Sequence, residues 1–348
     1  MSDNADVIPV REAHKFDEGK FVDYLSTHVE DFKGPLTIHQ FEGGQSNPTF
    51  LLRTPEREYV MRKKPPGVLL PSAHAVEREY RIMSALQATD VPVARTYCLC
   101  EDPDIIGTPF YVMEKVEGRI IRKPEIPGVS PTERAAIYDA MNDTMTKMHN
   151  VDVDAAGLGD FGKKGNYFER QVGRWTKQYR AAETEVVETM ENLIKWLPEN
   201  MPDDNTTTIC HGDYRLENMI IHPTKPEVVA VLDWELCTLG HPLADLAYNC
   251  MTYHFMHPAS GGLVNTDFAA TGIPTEQEYI DAYCRRTGRD GIENWEFYVA
   301  FSFFRLASIV QGVYKRGLDG NASSARATQY GDFAKMLSTL GWNEITGK

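Results

Sequence analysis

The 348 residues predict an α+β fold of two lobes, β-rich first and mostly helical afterwards, and three observations carry that expectation. Up to about residue 116, short apolar runs alternate with Gly and Pro turns. After Gly118 the apolar positions switch to helical spacing. Among the helices that follow sits one short β-rich block, residues 208–234, and it holds the acids and amides that chemistry needs. The length agrees, being more than one typical domain and less than three.

Within the first lobe, residues 21–32 read as a short amphipathic helix closed by Gly34-Pro35. Residues 36–41 and 49–53 are strand-like and joined by a Gly-rich turn, a hairpin signature. A third strand, 58–63, alternates Tyr59 and Met61 against Val60 and Arg62. Pro65-Pro66-Gly67 interrupts the chain, and Val76, Tyr80, Met83 and Leu86 then recur at helical spacing, with Ser72 as the expected N-cap. Runs at 93–100 and 109–116 complete a β-β-β-α-β-β order.

The second lobe opens with Ser130-Pro131-Thr132-Glu133, a capping box with Pro at the first helical position. Its helix carries Ile137, Met141, Met145 and Met148 on one face and ends near His149. Further helices are expected at 168–182, 189–197, 275–287 and 295–314, the third opened by a second capping box from Thr275 to Glu278.

Composition narrows the function. Thirty-six basic against fifty acidic residues give a formal charge of −14 and a pI near 5.2, the wrong sign for wholesale nucleic-acid binding. Six cysteines, Cys98, Cys100, Cys210, Cys237, Cys250 and Cys284, form no C-x-x-C pair and read as buried thiols in a reducing compartment. The first fifteen residues lack a signal peptide's apolar stretch, and no run approaches the ~20 apolar residues of a membrane span. The expectation is a cytoplasmic protein with neither nucleic-acid nor membrane partners.

The strongest chemical signal is His211-Gly212-Asp213-Tyr214-Arg215-Leu216-Glu217-Asn218. Asp213 and Asn218 stand five apart, Met219-Ile220 follows, and the apolar run 228–232 leads into Asp233. Two short strands thus bracket a loop with an acid at its start and an amide at its end, and a second acid follows the hairpin. Phosphoryl transfer mainly requires positioning and charge neutralisation. Asp213 can accept a substrate hydroxyl's proton, while Asn218 and Asp233 offer hard oxygen ligands to Mg²⁺. A lone D-x-x-x-x-N would be a polar turn; the His-Gly prefix and the downstream acid set this one apart.

This pattern resembles the catalytic loop and metal-binding Asp of protein kinases, with His-Gly-Asp for His-Arg-Asp and Asp233-Trp234-Glu235 in place of Asp-Phe-Gly. Those substitutions resemble the aminoglycoside phosphotransferase-like superfamily, choline kinases included, and the resemblance runs from about residue 20 to 340. It implies a two-lobed protein-kinase-like fold, with residues 1–116 as a nucleotide-binding N-lobe and 117–348 as a C-lobe for catalysis and acceptor binding. It also implies ATP and Mg²⁺ as cofactors.

The loop Gly43-Gly44-Gln45-Ser46-Asn47-Pro48-Thr49-Phe50 would then cover the phosphates, its glycines admitting backbone amides and Ser46 and Asn47 adding side-chain bonds. Arg62 matches the strand Lys that holds the phosphates; Lys63 is the alternative, on the opposite face of the strand. Glu79 is the expected ion-pair partner, with Glu77 the alternative. Residues 109–116 resemble the hinge strand at which adenine sits, using backbone groups of Glu114 and Val116. Arg215 is read either as a catalytic contact to the γ-phosphate or as a surface ion pair. The segment 240–247 resembles G-D-P-x-x-D-L-A, in which Asp245 orients the catalytic loop by hydrogen bonds and His241 stands where many relatives have Asp.

Within that superfamily, 43–50, 62–67, Arg78-Glu79-Tyr80 and 240–245 are similar to the kinase-like domain fused to certain acyl-CoA dehydrogenases. The resemblance implies a small-molecule hydroxyl acceptor such as a hydroxyacyl-CoA or hydroxy acid. Residues 246–274 hold one acid, Asp267, among Tyr248, Tyr253, Phe255, Met256 and Phe268. In 301–326, Arg305, Lys315, Arg316 and Arg326 face only Asp319. An aromatic, locally basic surface suits an anionic or acyl acceptor better than a polycation. Two competing readings are a nucleotide-binding pseudokinase and an aminoglycoside-modifying enzyme; intact Asp213, Asn218 and Asp233 count against the first.

Overall fold

The structure, a computed structural model, describes residues 7–42, 47–66, 74–257, 261–320 and 326–347. Its α+β architecture is the one expected, in two compact units. The first comprises Met1–Ile121, Ala156–Leu158 and Glu217–Cys237; the second comprises Arg122–Ala155, Gly159–Leu216 and Thr238–Lys348.

The first unit is built on a six-stranded antiparallel sheet in the order β1-β2-β3-β4-β6-β5. Its strands are β1 (Val7–Ile8), β2 (Thr37–Phe41), β3 (Thr49–Arg53), β4 (Glu58–Lys63), β5 (Thr96–Cys100) and β6 (Phe110–Glu114). Alternation sorts β4 cleanly. Tyr59 and Met61 join a core with Phe50, Leu52, Phe110 and Val112, against Phe21 and Leu25 of helix α1 (Glu18–His28). Phe21 meets Phe110 edge-on with centroids 5.3 Å apart. Burial of each such ring contributes about 1.5–3 kcal/mol.

Lys63 shares that face; its ammonium lies 5.5 Å from the Phe16 ring centroid and 5.9 Å from that of Phe50. Arg62 has the opposite parity. Helix α2 (Val76–Leu86) begins later than expected, after Ala75, which gives no side-chain cap; the expected cap, Ser72, lies outside the described residues. Two further strands, Met219–Ile221 and Val228–Val231, form an antiparallel hairpin in this unit.

The second unit is helical. The short α3 (Pro103–Ile106) of the first unit precedes its helices, which start with α4 (Pro131–His149), α5 (Tyr167–Ala182) and α6 (Glu188–Glu199). They continue with α7 (Pro242–Cys250), α8 (Phe268–Thr271), α9 (Glu276–Thr287), α10 (Trp295–Leu318) and α11 (Gly331–Thr346). Ser130 caps α4 by accepting from the Glu133 amide, and Ile137, Met141, Met145 and Met148 are all buried. Thr275 and Glu278 make the full capping box on α9.

Helix α10 corrects the sequence reading. By length and composition it is apolar enough to cross a membrane, although most of it is buried within the protein. Phe168 of α5 packs edge-on against its Phe297 and Phe301, with centroids 5.2 and 5.0 Å away, as core helices do. A two-stranded ribbon, Thr208–Cys210 paired with Thr238–Gly240, leads directly into the loop that carries Asp213.

Candidate active site

The Asp213 loop is fixed by its backbone. Asp245, in the first turn of α7, is buried and accepts from the amides of His211 at 2.6 Å and Gly212 at 2.8 Å. Although burial pushes its carboxyl up, His149 and these amides hold it below the usual carboxylate range. Charge-assisted bonds of this kind contribute about 1.5–3 kcal/mol each. Gly212 takes φ +83°, which a side chain would resist. Its carbonyl accepts from Arg305 Nη2 at 2.6 Å. Tyr214 donates to the Met141 carbonyl at 2.8 Å, and the Asn249 amide donates to Tyr214's own carbonyl at 3.3 Å.

His241 caps α7: its Nδ1 accepts from the Leu243 amide at 3.2 Å. An imidazole thereby does the capping work of a carboxylate. Asp213 itself accepts from the Tyr248 hydroxyl at 2.7 Å, on the same Oδ1 that lies 3.4 Å from Arg215 Nε. The Arg215 side chain is nearly half exposed.

In the first unit, parity places the two candidate cations on opposite faces of β4. Arg62 pairs with Glu79 at 3.0 Å, while Lys63 faces the aromatic core. Glu79 is 1% exposed and also accepts from Asn47 at 2.7 Å and Tyr111 at 2.9 Å. The other glutamate, Glu77, pairs with Lys64 at 2.9 Å. Burial opposes the charge on Arg62, but Glu79, Tyr111, Asp233 and Glu235 together raise its pKa above the ordinary value. Both Arg62 Nη atoms approach Asp233 Oδ1 at 3.4 Å, and Nη2 lies 3.8 Å from Glu235.

Fully buried, Asn47 donates to Glu79 and sets its amide oxygen 3.1 Å from His74 Nδ1, so it buttresses the ion pair. Gly43, Gly44 and Ser46 lie outside the described residues.

Asn218 ends a 3-10 turn, and its carbonyl accepts from Leu232 at 2.8 Å, so the hairpin brings Asn218 and Asp233 to one end. An amide oxygen and a carboxylate are the hard donors that Mg²⁺ takes when phosphates complete its shell. Arg62 Nε, buried and without a hydrogen-bond partner among the described residues, is a donor of the kind phosphate oxygens satisfy. The donor set fits a Mg²⁺–nucleotide. Glu114 donates its N–H to the Arg95 carbonyl at 2.7 Å, and Val116 is half-buried.

Two arguments for an anionic acceptor weaken. Arg305 is a buried structural residue, and Lys315 pairs with Asp319 at 2.5 Å. Tyr253 donates to the Pro274 carbonyl, and Phe255 packs on Phe303. Tyr111 was not legible as a site residue, while Tyr248 and Arg305, read as parts of an acceptor surface, reach the Asp213 loop instead.

An antiparallel sheet bearing a buried Arg–Glu pair, with a helical unit that pins an acid in an H-G-D loop, defines the kinase-like class of phosphotransferases. The chain belongs to the phosphotransferase enzyme family, whose profile matches residues 37–284. It is 51% identical over 344 residues to acyl-CoA dehydrogenase family member 10 of Mus musculus, covering 97% of this chain and 32% of that protein. It is 45% identical over 350 residues to acyl-CoA dehydrogenase family member 11 of Rattus norvegicus, covering 98% and 45%. The chain therefore spans less than half the length of these curated relatives.

Among solved structures, a candidate aminoglycoside phosphotransferase of Ralstonia eutropha JMP134 superposes with TM-score 0.89 at 51% identity, covering 96% of this chain and 99% of that one. A thermostable mutant of aminoglycoside phosphotransferase APH(4)-Ia, in ternary complex with AMP-PNP and hygromycin B, gives 0.61 at 15% identity, covering 92% and 97%. The second likeness is one of fold alone.

Proposed function

We propose that this chain is a Mg²⁺-ATP-dependent small-molecule kinase whose acceptor is a hydroxyl of a hydroxyacyl-CoA or related hydroxy acid. The observation that carries the reading is Asp213 on a backbone pinned from both sides, by Asp245 through the amides and by Arg305 through a carbonyl. A loop held this firmly favours placing one carboxylate over decorating a turn. Asp213 accepts the acceptor's O–H proton as that oxygen bonds to the γ-phosphorus. The bond from γ-phosphorus to the bridging oxygen breaks, and ADP leaves with the electron pair. Arg62, oriented by Glu79, Asn47 and Tyr111, holds phosphate oxygens. Asn218 and Asp233 would hold Mg²⁺, which supplies charge neutralisation to the phosphates.

The acceptor class rests on the names of the curated relatives. An antibiotic acceptor is the second reading, favoured by the description of the Ralstonia protein. The scarcity of acids in 246–274 argues against a polycation there. The test is ATP consumption against 3- and 4-hydroxyacyl-CoAs, choline, homoserine and kanamycin. Turnover of a hydroxyacyl-CoA supports the proposal; turnover of kanamycin alone refutes its acceptor class.

A further inference from the structure

Asp213 lies at the end of a chain of side chains that the reaction chemistry does not use. Arg305, buried in the middle of α10, donates to the Gly212 carbonyl at 2.6 Å. Its guanidinium carbon also sits 5.3 Å from the Tyr248 ring centroid and 5.7 Å from that of Trp175. The Tyr248 hydroxyl, one helical turn beyond Asp245 on α7, donates to Asp213 Oδ1 at 2.7 Å. One cation therefore pins both the backbone before Asp213 and the ring that holds its carboxylate.

The geometry points to Tyr248 as a positioning residue that fixes the Asp213 carboxylate for proton acceptance, with Arg305 locking Tyr248 and Gly212 in register. This inference rests on the reading of Asp213 as the acid that receives the acceptor's proton. A free carboxylate at the end of a one-carbon side chain samples several rotamers, and a short charge-assisted bond to a rigid phenol selects one. In phosphoryl transfer, where little covalent work falls to the protein, orientation of the carboxylate carries most of its contribution. Burial, then the Asp213 charge, raise the Tyr248 hydroxyl well above its usual range, so it stays a donor at any working pH.

The test is Tyr248→Phe, which deletes one oxygen and keeps the ring on Arg305. The probe is Mg²⁺-ATP with water as the only acceptor, so the readout needs no identified substrate. Wild type, Tyr248→Phe and Asp213→Asn are compared for kcat, KM for ATP and melting temperature. We expect Tyr248→Phe to lower kcat about ten- to a hundredfold, with KM within twofold and melting unchanged within a few degrees. Wild-type kcat in Tyr248→Phe, alongside an inactive Asp213→Asn, would overturn the positioning role alone. A loss in Tyr248→Phe that tracks raised KM or a collapsed melting temperature would also overturn it, in favour of a structural role. Wild-type turnover in Asp213→Asn would overturn the underlying reading and this inference with it.

Discussion

Glu79 shows how much a single buried carboxylate can organise. Its oxygens take Arg62, Asn47 and Tyr111, so removing any one partner strands a polar group away from water. Asn47→Ala should therefore cost about 1–3 kcal/mol in urea unfolding, and weaken nucleotide binding as Arg62 loses its fixed partner. Glu79→Leu leaves the Arg62 charge buried and should cost more, about 3–5 kcal/mol. Asp213, Asn218 and Asp233 stood out in the sequence because their spacing along one short segment is itself the signal. Asn47 stood out for its place beside the glycines, and only burial reveals that its amide also holds Glu79. Tyr248 and Arg305 reach the Asp213 loop from positions 35 and 93 residues away from their partners, a relation no local pattern encodes.

The elements were legible in proportion to their periodicity. Thr49–Arg53 and Glu58–Lys63 match residue for residue, since alternation and bounding turns define a strand sharply. Helix α11 went unread because Gly331, Ser338 and Gly341 interrupt its pattern and Tyr330 offers no side-chain cap; Gly341 lies close against Phe303 of α10. The two residues of β1 are too few to show a period.

One clasp among these elements should be pH-sensitive. His254 sits 2.8 Å from Glu276 at the start of α9 and 2.9 Å from Glu344 near the end of α11. Burial works against its charge, yet the two carboxylates raise its pKa to about 9. Because the folded value exceeds the unfolded one of ~6.5, the stabilisation is full below pH ~6.5 and is lost as pH rises through about 9. Its size is on the order of 3 kcal/mol. Melting temperature should fall between pH 7 and 9.5 at constant salt, and His254→Gln should flatten that fall. An unaltered slope in the variant would place the pH dependence elsewhere.

At the scale of the molecule, the proposed function makes nucleotide binding the first property to measure. AMP-PNP with Mg²⁺ at a hundredfold excess over its dissociation constant should add about 2.7 kcal/mol, raising the melting temperature by roughly 4 °C. Arg62→Met should abolish most of that rise. The central claim is that Asp213 serves the transfer and not the binding. The measurement that tests it most directly pairs calorimetric titration of Mg²⁺-ATP with phosphate-transfer kinetics in wild type and Asp213→Asn. With Asp213 as proton acceptor, ATP affinity should be unchanged in the variant and turnover lower by about 10²–10⁴. Nucleotide bound by neither protein, or equal turnover in both, would contradict it.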